Sequence, residues 1–420
     1  MSDDKNTNNN SIYNLLSKEE RYKKGINQDS IVDLVDSFLF KAIKYAASDI
    51  HLEQTQNDMR IRYRIDGILY DQKSISKDQG LAVISRIKIL SSLDIAEKRI
   101  PQDGKFLVKV NNSSKNHLID VRVSTFPSIN GEKIVLRILD KEQNCIELNK
   151  LGMSNKTLQD IYSIIDRPQG FFLVTGPTGS GKTTTLYSIL SYLNNTEKNI
   201  ITMEDPVEYN IEGITQSQIN EKAGFTFAKG LRSILRQDPD IVMVGEIRDK
   251  LTAQTAIEAA LTGHLVLSTL HTNDSIGAVS RLIEMGVEPF LINSSLSGVL
   301  AQRLVRKLCS ECKQEDLITL QEKEHLKNKG FDTDKFNLEK IYRPYGCNKC
   351  FDLGYKSRTG IFELLKIDDE LRDLIIKKSS AQKIKEYAIK NNLNFIINDG
   401  IEKIDQGIIS FEELFKSINL

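Results

Sequence analysis

The sequence predicts an α/β protein with a doubly wound parallel sheet, preceded by a smaller α+β domain and followed by a cysteine-bearing and helical region. Three observations support this organisation. Four short apolar runs between residues 171 and 269 alternate with helical stretches, apolar and polar residues alternate over much of residues 49–139, and two Cys-x-x-Cys pairs follow residue 300. Such apolar runs are typical of parallel strands buried on both faces, whereas alternation is typical of strands with one buried face.

The composition is that of folded domains rather than of a disordered chain. The 420 residues suffice for two to three domains, and 40% of them are apolar. There are 57 Lys plus Arg and 57 Asp plus Glu, so no overall positive field favours nucleic acid or anionic lipid. No window approaches the roughly eighteen apolar residues of a membrane-spanning helix, and the first ten residues lack a signal-peptide core. We therefore expect a cytoplasmic chain.

Residues 1–25 are rich in Asn, Asp, Lys and Ser and contain few large apolar residues. Because such a segment buries too little apolar surface to offset its ordering entropy, it is predicted to be a flexible tail. From Ile31 to Tyr45 apolar residues recur at three- and four-residue steps, which predicts an amphipathic helix. The first folded domain starts with this helix.

The first domain is predicted over residues 26–142. A second helix is expected near Gly80–Ser91, and strands are expected at Asp49–Leu52, Met59–Ile65, Ile68–Asp71, Phe106–Val110, Leu118–Val123 and Lys133–Leu139. Consecutive strands with few intervening helices predict a mostly antiparallel sheet in an α+β domain. The pattern then lapses into a polar connection, and residues 143–155 are assigned to a linker.

The parallel α/β domain is predicted over residues 156–300. Its four expected core strands are Phe171–Thr175, Ile200–Met203, Ile241–Val244 and Leu265–Thr269. Short, strongly apolar strands separated by helical sequence fit a sheet with helices on both faces. Residues 361–420 are predicted to be helical, at Asp368–Lys377, Ala381–Lys390 and Phe411–Ile418, and no further strand is expected after residue 301.

A phosphate-binding loop is predicted where the first of these strands ends. The residues are Gly176, Pro177, Thr178, Gly179, Ser180, Gly181, Lys182 and Thr183, with Thr184 next to them. They fit the pattern GxxxxGK[ST] in the strand–loop–helix context that the pattern requires. Backbone N–H groups turn toward phosphate oxygens, Lys182 reaches the terminal phosphates, and the Thr183 hydroxyl can bind Mg²⁺. The domain is therefore predicted to be a P-loop NTPase.

Two further strands end in carboxylates, which hydrolysis needs to hold the metal and to orient water. The carboxyl ends of parallel strands lie where ligands bind in open α/β sheets. Glu246 follows the third strand and is the metal-side candidate, although Gly245 stands where the commonest form of the motif has Asp. Glu204 ends the second strand and is the general-base candidate. Asp205 and Glu208, just beyond it, have helix capping or a solvated loop as the plainer alternative.

Two of the five histidines bracket the fourth strand, with His264 before it and His271 after it. His271 lies at the end that faces the nucleotide edge, so it is a catalytic candidate that senses the terminal phosphate. A satisfied structural position is an equal alternative for His264.

The region after residue 300 is predicted to contain a zinc site. Cys309 and Cys312 form one Cys-x-x-Cys pair, and Cys347 and Cys350 form the other. In a reducing compartment two such pairs favour four thiolates on one tetrahedral Zn²⁺ rather than disulfides, and no open position is left for catalysis. Residues 301–360 are therefore assigned to a structural zinc subdomain, with redox pairs as the alternative. Cys145 is interpreted as a plain semi-buried thiol.

Together with these motifs, further stretches of the chain closely resemble the secretion ATPases that power type II secretion and type IV pilus assembly. The second domain has GPTGSGKT, ITMEDPVEY, LRQDPDIVMVGEIRD and TGHLVLSTLHTND, and the first has ASDIHLE, EKRIPQDGKF and VRVSTFPSINGEKIVLRIL. The resemblance covers nearly all of the chain from Ser30 onward. The Gly245–Glu246 pair is the usual form in that family.

The resemblance implies a homo-hexameric ring of Mg²⁺-dependent ATPase subunits, each with a PAS-like first domain and a RecA-like second domain. ATP is expected between the phosphate loop and the first domain of the same or a neighbouring subunit, and domain rotation is expected to act on an inner-membrane platform protein. The chain would then be peripheral at the inner membrane through its partners. Five arginines become candidates for phosphate contact or interface pairing: Arg99, Arg122, Arg137, Arg232 and Arg236. Ordinary surface ion pairs are the alternative for each of them.

Two features bear on the role within that family. Members that assemble fibres carry such a four-cysteine site, whereas the related retraction ATPases generally lack it, so the cysteines favour assembly. Members also commonly have an additional N-terminal domain that docks on a membrane-associated partner, and about 25 polar residues precede the matching part here. Recruitment is therefore expected to use another surface or another partner.

Two other classes of protein compete with an assembly motor. A nucleic-acid motor on a similar core is disfavoured by the neutral charge, the lack of a basic run and the absence of Trp. A non-hydrolysing scaffold is disfavoured because Lys182, Thr183, Glu204 and Glu246 are all present. We therefore expect ATP hydrolysis coupled to pseudopilus or pilus assembly, without a nucleic-acid partner.

Overall fold

The computed structural model describes residues 12–15, 30–112, 115–140, 145–328 and 340–418. The chain divides into two compact units, Met1–Asn144 and Cys145–Leu420. A mostly antiparallel sheet with helices forms the first unit, and a doubly wound, mostly parallel sheet forms the core of the second, so the predicted fold class is confirmed. Within the described part of the chain, no helix is long and apolar enough to cross a lipid bilayer.

Among its described residues, the first unit has an eight-stranded sheet and two helices. Its elements are β1 (Ile12–Leu15), α1 (Ile31–Lys44), β2 (Ala47–Gln54), β3 (Asp58–Ile65), β4 (Ile68–Asp71), β5 (Ile75–Ser76), α2 (Lys77–Leu90), β6 (Gln102–Asn112), β7 (Lys115–Ser128) and β8 (Gly131–Asp140). The strand order is β1-β6-β7-β8-β2-β3-β4, with β5 also paired to β3. All of these pairings are antiparallel except that of β1 with β6.

The sequence pattern along β3 explains how the sheet of the first unit is buried. Met59, Ile61 and Tyr63 are fully buried, while Arg60 between them is exposed. Because successive side chains point to opposite faces, the alternation gives one apolar face and one charged face. The helices cover the apolar face, and the Tyr63 hydroxyl donates a hydrogen bond to the Phe38 carbonyl oxygen of α1 (3.2 Å).

The structure corrects the prediction of a flexible tail over residues 1–25, because Ile12–Leu15 forms β1 and pairs in parallel with β6. Leu15 is buried, and the Tyr13 hydroxyl donates a hydrogen bond to Asp36 of α1. The sequence did not predict this short strand because the segment as a whole is polar. In the structure the strand extends the sheet beside β6. The other residues of that segment lie outside the described part of the chain.

The second unit contains nine strands and eleven helices among its described residues. The strands are β9 (Gly170–Thr175), β10 (Ile200–Glu204), β11 (Thr215–Gln218), β12 (Ile241–Val244), β13 (Leu265–Leu270), β14 (Leu296–Leu308), β15 (Gln314–Leu317), β16 (Lys340–Arg343) and β17 (Tyr355–Lys366). The helices are α3 (Asn155–Ile165), α4 (Lys182–Leu193), α5 (Phe227–Ile234), α6 (Lys250–Leu261), α7 (Ser275–Glu284), α8 (Pro289–Ser295), α9 (Leu320–Asn328), α10 (Asp369–Ile376), α11 (Ala381–Lys390), α12 (Ile396–Asp405) and α13 (Phe411–Ile418).

The main sheet of the second unit has the order β11-β10-β12-β13-β9-β14-β17. Its first six strands are parallel, and β17 pairs antiparallel with β14. Every residue of β9, β10, β12 and β13 is buried, because helices cover both faces of these strands. Each of the four predicted core strands is confirmed to within one residue. β15 and β16 form a separate antiparallel pair.

The structure corrects the prediction that no strand follows residue 301. β14 passes through the predicted boundary between residues 300 and 301, and β17 passes through the one between 360 and 361. The buried strands of this region could not be recognised from sequence because they contain charged residues whose ion-pair partners are distant in sequence. Arg306 of β14 is buried, paired with Glu413 (2.7 Å between Nη2 and Oε2) and stacked 3.8 Å from the centre of the Tyr355 ring. Helix α12 was missed for a different reason, since its buried Asp399 and Lys403, four residues apart, form an ion pair inside the core and interrupt the apolar pattern.

The predicted linker, residues 143–155, is partly built into the second unit. Leu148–Lys150 is a short 3₁₀ turn, and Leu148 is buried in the apolar cluster under α4. Helix α3 begins at Asn155, the last residue of the assigned linker. One apolar residue in a polar stretch was too weak a signal to predict this packing.

Candidate functional site

The predicted phosphate loop leaves the carboxyl end of β9 and leads into α4. β9 is buried at every residue, so the core of the sheet fixes where the loop begins. Gly181 precedes α4 with a φ of +88°, in the left-handed region that favours glycine. A Cβ on Gly181 would also lie 3.2 Å from Gln302 Nε2 and from Leu304 Cδ1. Backbone conformation and available space both favour glycine at this position.

Lys182 is the first residue of α4, and its side chain closes the loop on itself. Nζ donates hydrogen bonds to the carbonyl oxygens of Gly176 (2.7 Å) and Pro177 (3.1 Å). Burial lowers the pKa of this ammonium group, and the negative charge of Glu246 partly offsets that shift. Phosphate oxygens are stronger partners for an ammonium group than neutral carbonyls are. The loop therefore holds Lys182 where a phosphate could replace its two present partners.

Ser180 supplies a second group that fits a bound phosphate. It is 3% exposed, and its Oγ is buried without a hydrogen-bond partner among the described residues. A buried hydroxyl without a partner is unfavourable until a ligand or a water pairs with it. Residues 177–179 and Thr183 are exposed, and Thr184 is half-buried. The loop thus combines a buried polar group with an accessible mouth, as a phosphate site requires.

The segment after β12 is held by both neighbouring strands. Gly245 N donates to Met203 O of β10 (2.7 Å), and Thr269 Oγ1 of β13 donates to Gly245 O (2.7 Å). A Cβ on Gly245 would lie 3.1 Å from Met203 O and 3.4 Å from Glu204 Cα. The close approach of β10 therefore explains why glycine stands where an aspartate is common, with the carboxylate one residue later.

Glu246 lies beside two other predicted site residues. His271 Nε2 is 3.3 Å from Glu246 Oε2, and the charge of Glu246 acts on Lys182. Arg248 donates a hydrogen bond to Glu246 Oε1. The side chain of Glu246 is 17% exposed and that of His271 is 49% exposed, so solvent reaches this cluster. The structure thus brings together Lys182, Glu246 and His271, whereas Arg248 was missed as a site residue although it lies within the quoted stretch LRQDPDIVMVGEIRD.

Glu204, the general-base candidate, lies in a different environment. It is 3% exposed, and its Oε1 accepts from Thr202 Oγ1 (2.5 Å) and Gln216 Nε2 (3.1 Å). Oε2 accepts from the hydroxyl of Tyr187, whose pKa is raised first by burial and further by this carboxylate. Sequence reasoning missed Tyr187 and Gln216, because one lies in an apolar helical run and the other on a short edge strand.

The remaining candidate acids, and His264 at the opposite end of β13 from His271, occupy plainer positions. Asp205 is exposed, and the backbone N–H of Glu208 donates to the Tyr187 hydroxyl (3.3 Å). His264 Nδ1 lies 2.9 Å from Ala259 O in the last turn of α6. This contact supports the structural alternative for His264.

The three candidate arginines of the first unit lie on its loops and sheet. Arg99 is exposed and pairs with Glu97 (2.6 Å between Nη2 and Oε2). Arg137 Nε donates to Asp49 Oδ1 (3.1 Å). Arg122 of β7 is directly opposite Arg137 of β8 and is half-buried. A phosphate would have to compete with the carboxylates that now pair with Arg99 and Arg137.

The two candidate arginines of the second unit are exposed near the C-terminus of α5. Arg232 is on the helix, and Arg236 follows two residues after its end. Arg236 Nη1 donates to Arg232 O (2.9 Å), and Nη2 donates to Ser233 Oγ (3.3 Å). Because these partners are uncharged, the Arg236 guanidinium group keeps its positive charge available at the surface.

The four cysteines form a second candidate site. Sγ atoms are 3.9 Å apart in Cys309 and Cys347 and 3.7 Å apart in Cys312 and Cys350, and all four lie within 4.8 Å of one another. Thiolates at about 2.3 Å from one tetrahedral zinc would show separations of about 3.8 Å, so the donor set fits this ion. β14 ends one residue before the first pair, so the main sheet positions it. Although burial opposes the shift, the N–H groups of Cys347 and Gly354 help to lower the pKa of Cys350 to about 7.

A loop joins a buried parallel strand to a helix, and three adjacent strands bring Lys182, Glu246 and His271 together beside it. These features define a P-loop NTPase with a RecA-like sheet. A family model described as "Type II/IV secretion system protein" matches residues 25–416. The chain therefore belongs to the type II/IV secretion system protein family. The resemblance drawn from its motifs is confirmed.

Curated relatives match over most of the chain. The type II secretion system ATPase E of Vibrio cholerae is 49% identical over 386 residues, which are 92% of this chain and 75% of that protein. The type IV pilus assembly ATPase PilB of Myxococcus xanthus is 46% identical over 393 residues, which are 93% of this chain and 68% of that protein. These relatives belong to the two machines that the sequence motifs predict.

Solved structures also support the fold. The pilus retraction motor PilT with bound ADP has a TM-score of 0.58 and 26% identity, and the match covers 90% of this chain and 95% of that one. The ATPase DotB of Legionella pneumophila has a TM-score of 0.66 and 22% identity, with 96% and 98% coverage. The second match is informative for the fold alone.

Proposed function

We propose that this chain is an ATPase that converts ATP to ADP and phosphate and couples the reaction to assembly of a type II secretion pseudopilus or a type IV pilus. The observation that carries the proposal is the convergence of Lys182, Glu246 and His271 beside the phosphate loop. Relatives 49% and 46% identical to this chain are named as ATPases of these two machines.

Each residue of this cluster has a role in the proposed reaction. Lys182 binds phosphate oxygens and neutralises their charge as the terminal phosphate leaves. Thr183 and Glu246 would hold Mg²⁺, because a hydroxyl and a carboxylate are oxygen ligands and both side chains reach solvent. When bound, this ion neutralises further phosphate charge. His271, beside Glu246, contacts the terminal phosphate in the proposed complex.

Glu204 is proposed to orient the attacking water and accept its proton. In the described conformation Tyr187, Thr202 and Gln216 occupy both of its oxygens. A carboxylate can accept about four hydrogen bonds, so the attacking water has to use the remaining acceptor position on Oε2 or replace one of these donors. Tyr187 and Lys182 lie on the same helix, α4, so a shift of that helix on phosphate binding would reach Glu204.

The four cysteines are proposed to bind one structural Zn²⁺, because their donor set and spacing fit a closed tetrahedral site. Elemental analysis of the purified chain, produced with sufficient zinc, should give about one zinc per chain. Cys347→Ser should lower the zinc content to well under half of that, whereas Cys145→Ser should leave it unchanged. A wild-type chain with far less than one equivalent would contradict the proposal.

The proposed motor is a homo-hexamer that acts on an inner-membrane platform protein and associates with the membrane through its partners. The candidate contacts across subunits or to phosphate are Arg99, Arg122, Arg137, Arg232 and Arg236. Assembly is favoured over retraction because an assembly ATPase matches at 46% identity, compared with 26% for the retraction motor PilT. Tight, salt-dependent DNA binding would instead favour the alternative of a nucleic-acid motor.

Lys182→Ala tests this function in the test tube and in cells. Purified enzyme should lose turnover at least about a hundredfold, because the terminal phosphates lose their main cation. The control Lys156→Ala changes an exposed lysine at the start of α3 and should keep full turnover. Unchanged turnover in Lys182→Ala would contradict the proposed ATPase.

The same change at the chromosomal locus distinguishes the two machines. Lost pili with normal secretion would identify a pilus assembly motor, and lost secretion with normal pili would identify an export motor. If cells lose neither, the proposed role in assembly is wrong even if the purified chain hydrolyses ATP.

A further inference from the structure

β14 lies against the start of the phosphate loop. Its residue Ala301 pairs with Thr175, the last residue of β9, and Gln302 follows where the loop begins. A Cβ on Gly176 would lie only 2.4 Å from the backbone oxygen of Gln302. The side chain of Gln302 is also confined to the interior, since the residue is 2% exposed. The first glycine of the loop is therefore required by β14, and not only by a bound phosphate.

Both ends of the Gln302 side-chain amide form hydrogen bonds. Nε2 donates to the carbonyl oxygen of Ser180 (2.8 Å), and Oε1 accepts from Thr185 Oγ1 (2.8 Å). Because a carbonyl oxygen can only accept, the amino group must face Ser180, and the Thr185 hydroxyl must then donate to Oε1. One side chain from β14 thus joins the phosphate loop to the first turn of α4.

The bond to Ser180 fixes the direction of the next peptide group. In a trans peptide the C=O and N–H bonds point to opposite sides, so the N–H of Gly181 is directed away from Gln302. N–H groups at the start of a helix are the groups that bind phosphate. Gly181 has no side chain to restrict its rotation and has a φ of +88°. An external contact is therefore needed to hold this N–H in one direction.

We propose that Gln302 is a positioning residue that holds the phosphate loop in its binding conformation before the nucleotide arrives. The inference rests on the proposed ATPase function, because it concerns the same loop. Without the amide, the peptide between Ser180 and Gly181 loses this restraint, and nucleotide binding has to order it. Removal of the amide should therefore weaken nucleotide binding more than it slows hydrolysis.

Gln302→Leu tests this role because it keeps a side chain of similar size and removes both hydrogen bonds. The Kd for ADP and the KM for ATP should each rise about tenfold. The kcat should change by less than about threefold, since no group that contacts the reacting atoms is lost. Isothermal titration calorimetry with ADP on the full chain measures the Kd, and steady-state kinetics separates KM from kcat.

Val305→Ala is the matched control on the same strand. Val305 is 1% exposed and packs in the C-terminal apolar cluster, so this change should lower thermal stability without changing the Kd for ADP. Thr185→Val removes only the bond that orients the amide, and it should raise the Kd about threefold. This second variant keeps the inference testable if Gln302→Leu does not fold.

An unchanged Kd in Gln302→Leu, or in Thr185→Val if the former does not fold, would overturn the inference. An equal rise in Val305→Ala would do the same, because it would show a general effect of a weakened β14. A wild-type chain that binds ADP but does not hydrolyse ATP would contradict the proposed function alone, since the comparison of Kd values does not depend on hydrolysis.

Discussion

Two neighbouring strands of the main sheet, β10 and β12, each lead into a glutamate, yet the two carboxylates have opposite surroundings. Glu246 is 17% exposed, and it faces an arginine and a histidine whose side chains are 59% and 49% exposed. Glu204 is 3% exposed and accepts hydrogen bonds from three uncharged side chains. The difference arises from the neighbouring elements, because α4 and β11 supply donors that enclose Glu204.

The comparison shows that two strand-end carboxylates of the same type are not equally ready to react. An open carboxylate can bind a metal once its exposed partners turn toward solvent. An enclosed carboxylate has little free acceptor capacity, and a buried donor that it releases must find another partner. Glu246 and Glu204 are therefore expected to differ in metal dependence and in their contribution to stability.

The largest expected effect separates the two glutamates by metal dependence. Glu246→Gln and Glu204→Gln should each lower ATP turnover at least about a hundredfold, because one removes a proposed metal ligand and the other a proposed base. Only Glu246→Gln should also raise the Mg²⁺ concentration for half-maximal residual turnover, by about tenfold. Steady-state assays over a range of Mg²⁺ concentrations measure both quantities. Equal Mg²⁺ dependence in the two variants would break the proposed division of roles.

A second effect, on stability, should have the opposite ranking. Glu204→Ala leaves buried donors without a partner and should lower the free energy of unfolding by about 2–4 kcal/mol. Glu246→Ala breaks contacts with half-exposed side chains and should cost less than about 1 kcal/mol. Chemical denaturation followed by circular dichroism compares the two variants directly. If Glu246→Ala costs as much as Glu204→Ala, burial does not explain the contrast.

The smallest expected effect comes from Tyr187→Phe, which removes one of the three donors to Glu204. Stability should fall by about 1 kcal/mol. Turnover should equal or exceed that of the wild type, because Oε2 of Glu204 then has no side-chain donor that competes with the attacking water. The control Tyr209→Phe changes the ring that packs on Tyr187 at 4.6 Å and should leave turnover unchanged. A clear fall in turnover for Tyr187→Phe alone would count against release of Glu204 as a step in activation.

The fold could be predicted from the sequence wherever burial gives a simple local pattern. The core strands β9, β10, β12 and β13 are apolar throughout, and each was predicted to within one residue. β14 was missed because Arg306 interrupts its apolar run, and the ion pair that allows this arginine to be buried involves Glu413, 107 residues later. β1 was missed because four residues were averaged with a long polar segment.

The candidate site likewise contains residues that local sequence patterns predict and residues that they do not. Lys182, Glu246 and His271 follow from local motifs and from the rule that parallel strands end at one edge of the sheet. Gln302 and Tyr187 could not be predicted in this way, since their roles depend on a carbonyl and a carboxylate that only the folded chain brings near. The cysteines could be identified because their paired spacing by itself indicates a shared ligand.

β14 also determines how far this chain can be shortened. A fragment that ended at residue 300 would contain the complete phosphate-loop motif, but it would lose Gln302, part of β14 and all of β17. The remaining apolar residues of β14 would form an open sheet edge, which promotes aggregation. The smallest fragment that keeps this edge paired must extend to Lys366, and it therefore includes all four cysteines. The nucleotide-binding core and the cysteine cluster are thus expected to fold and to be purified only as parts of one fragment.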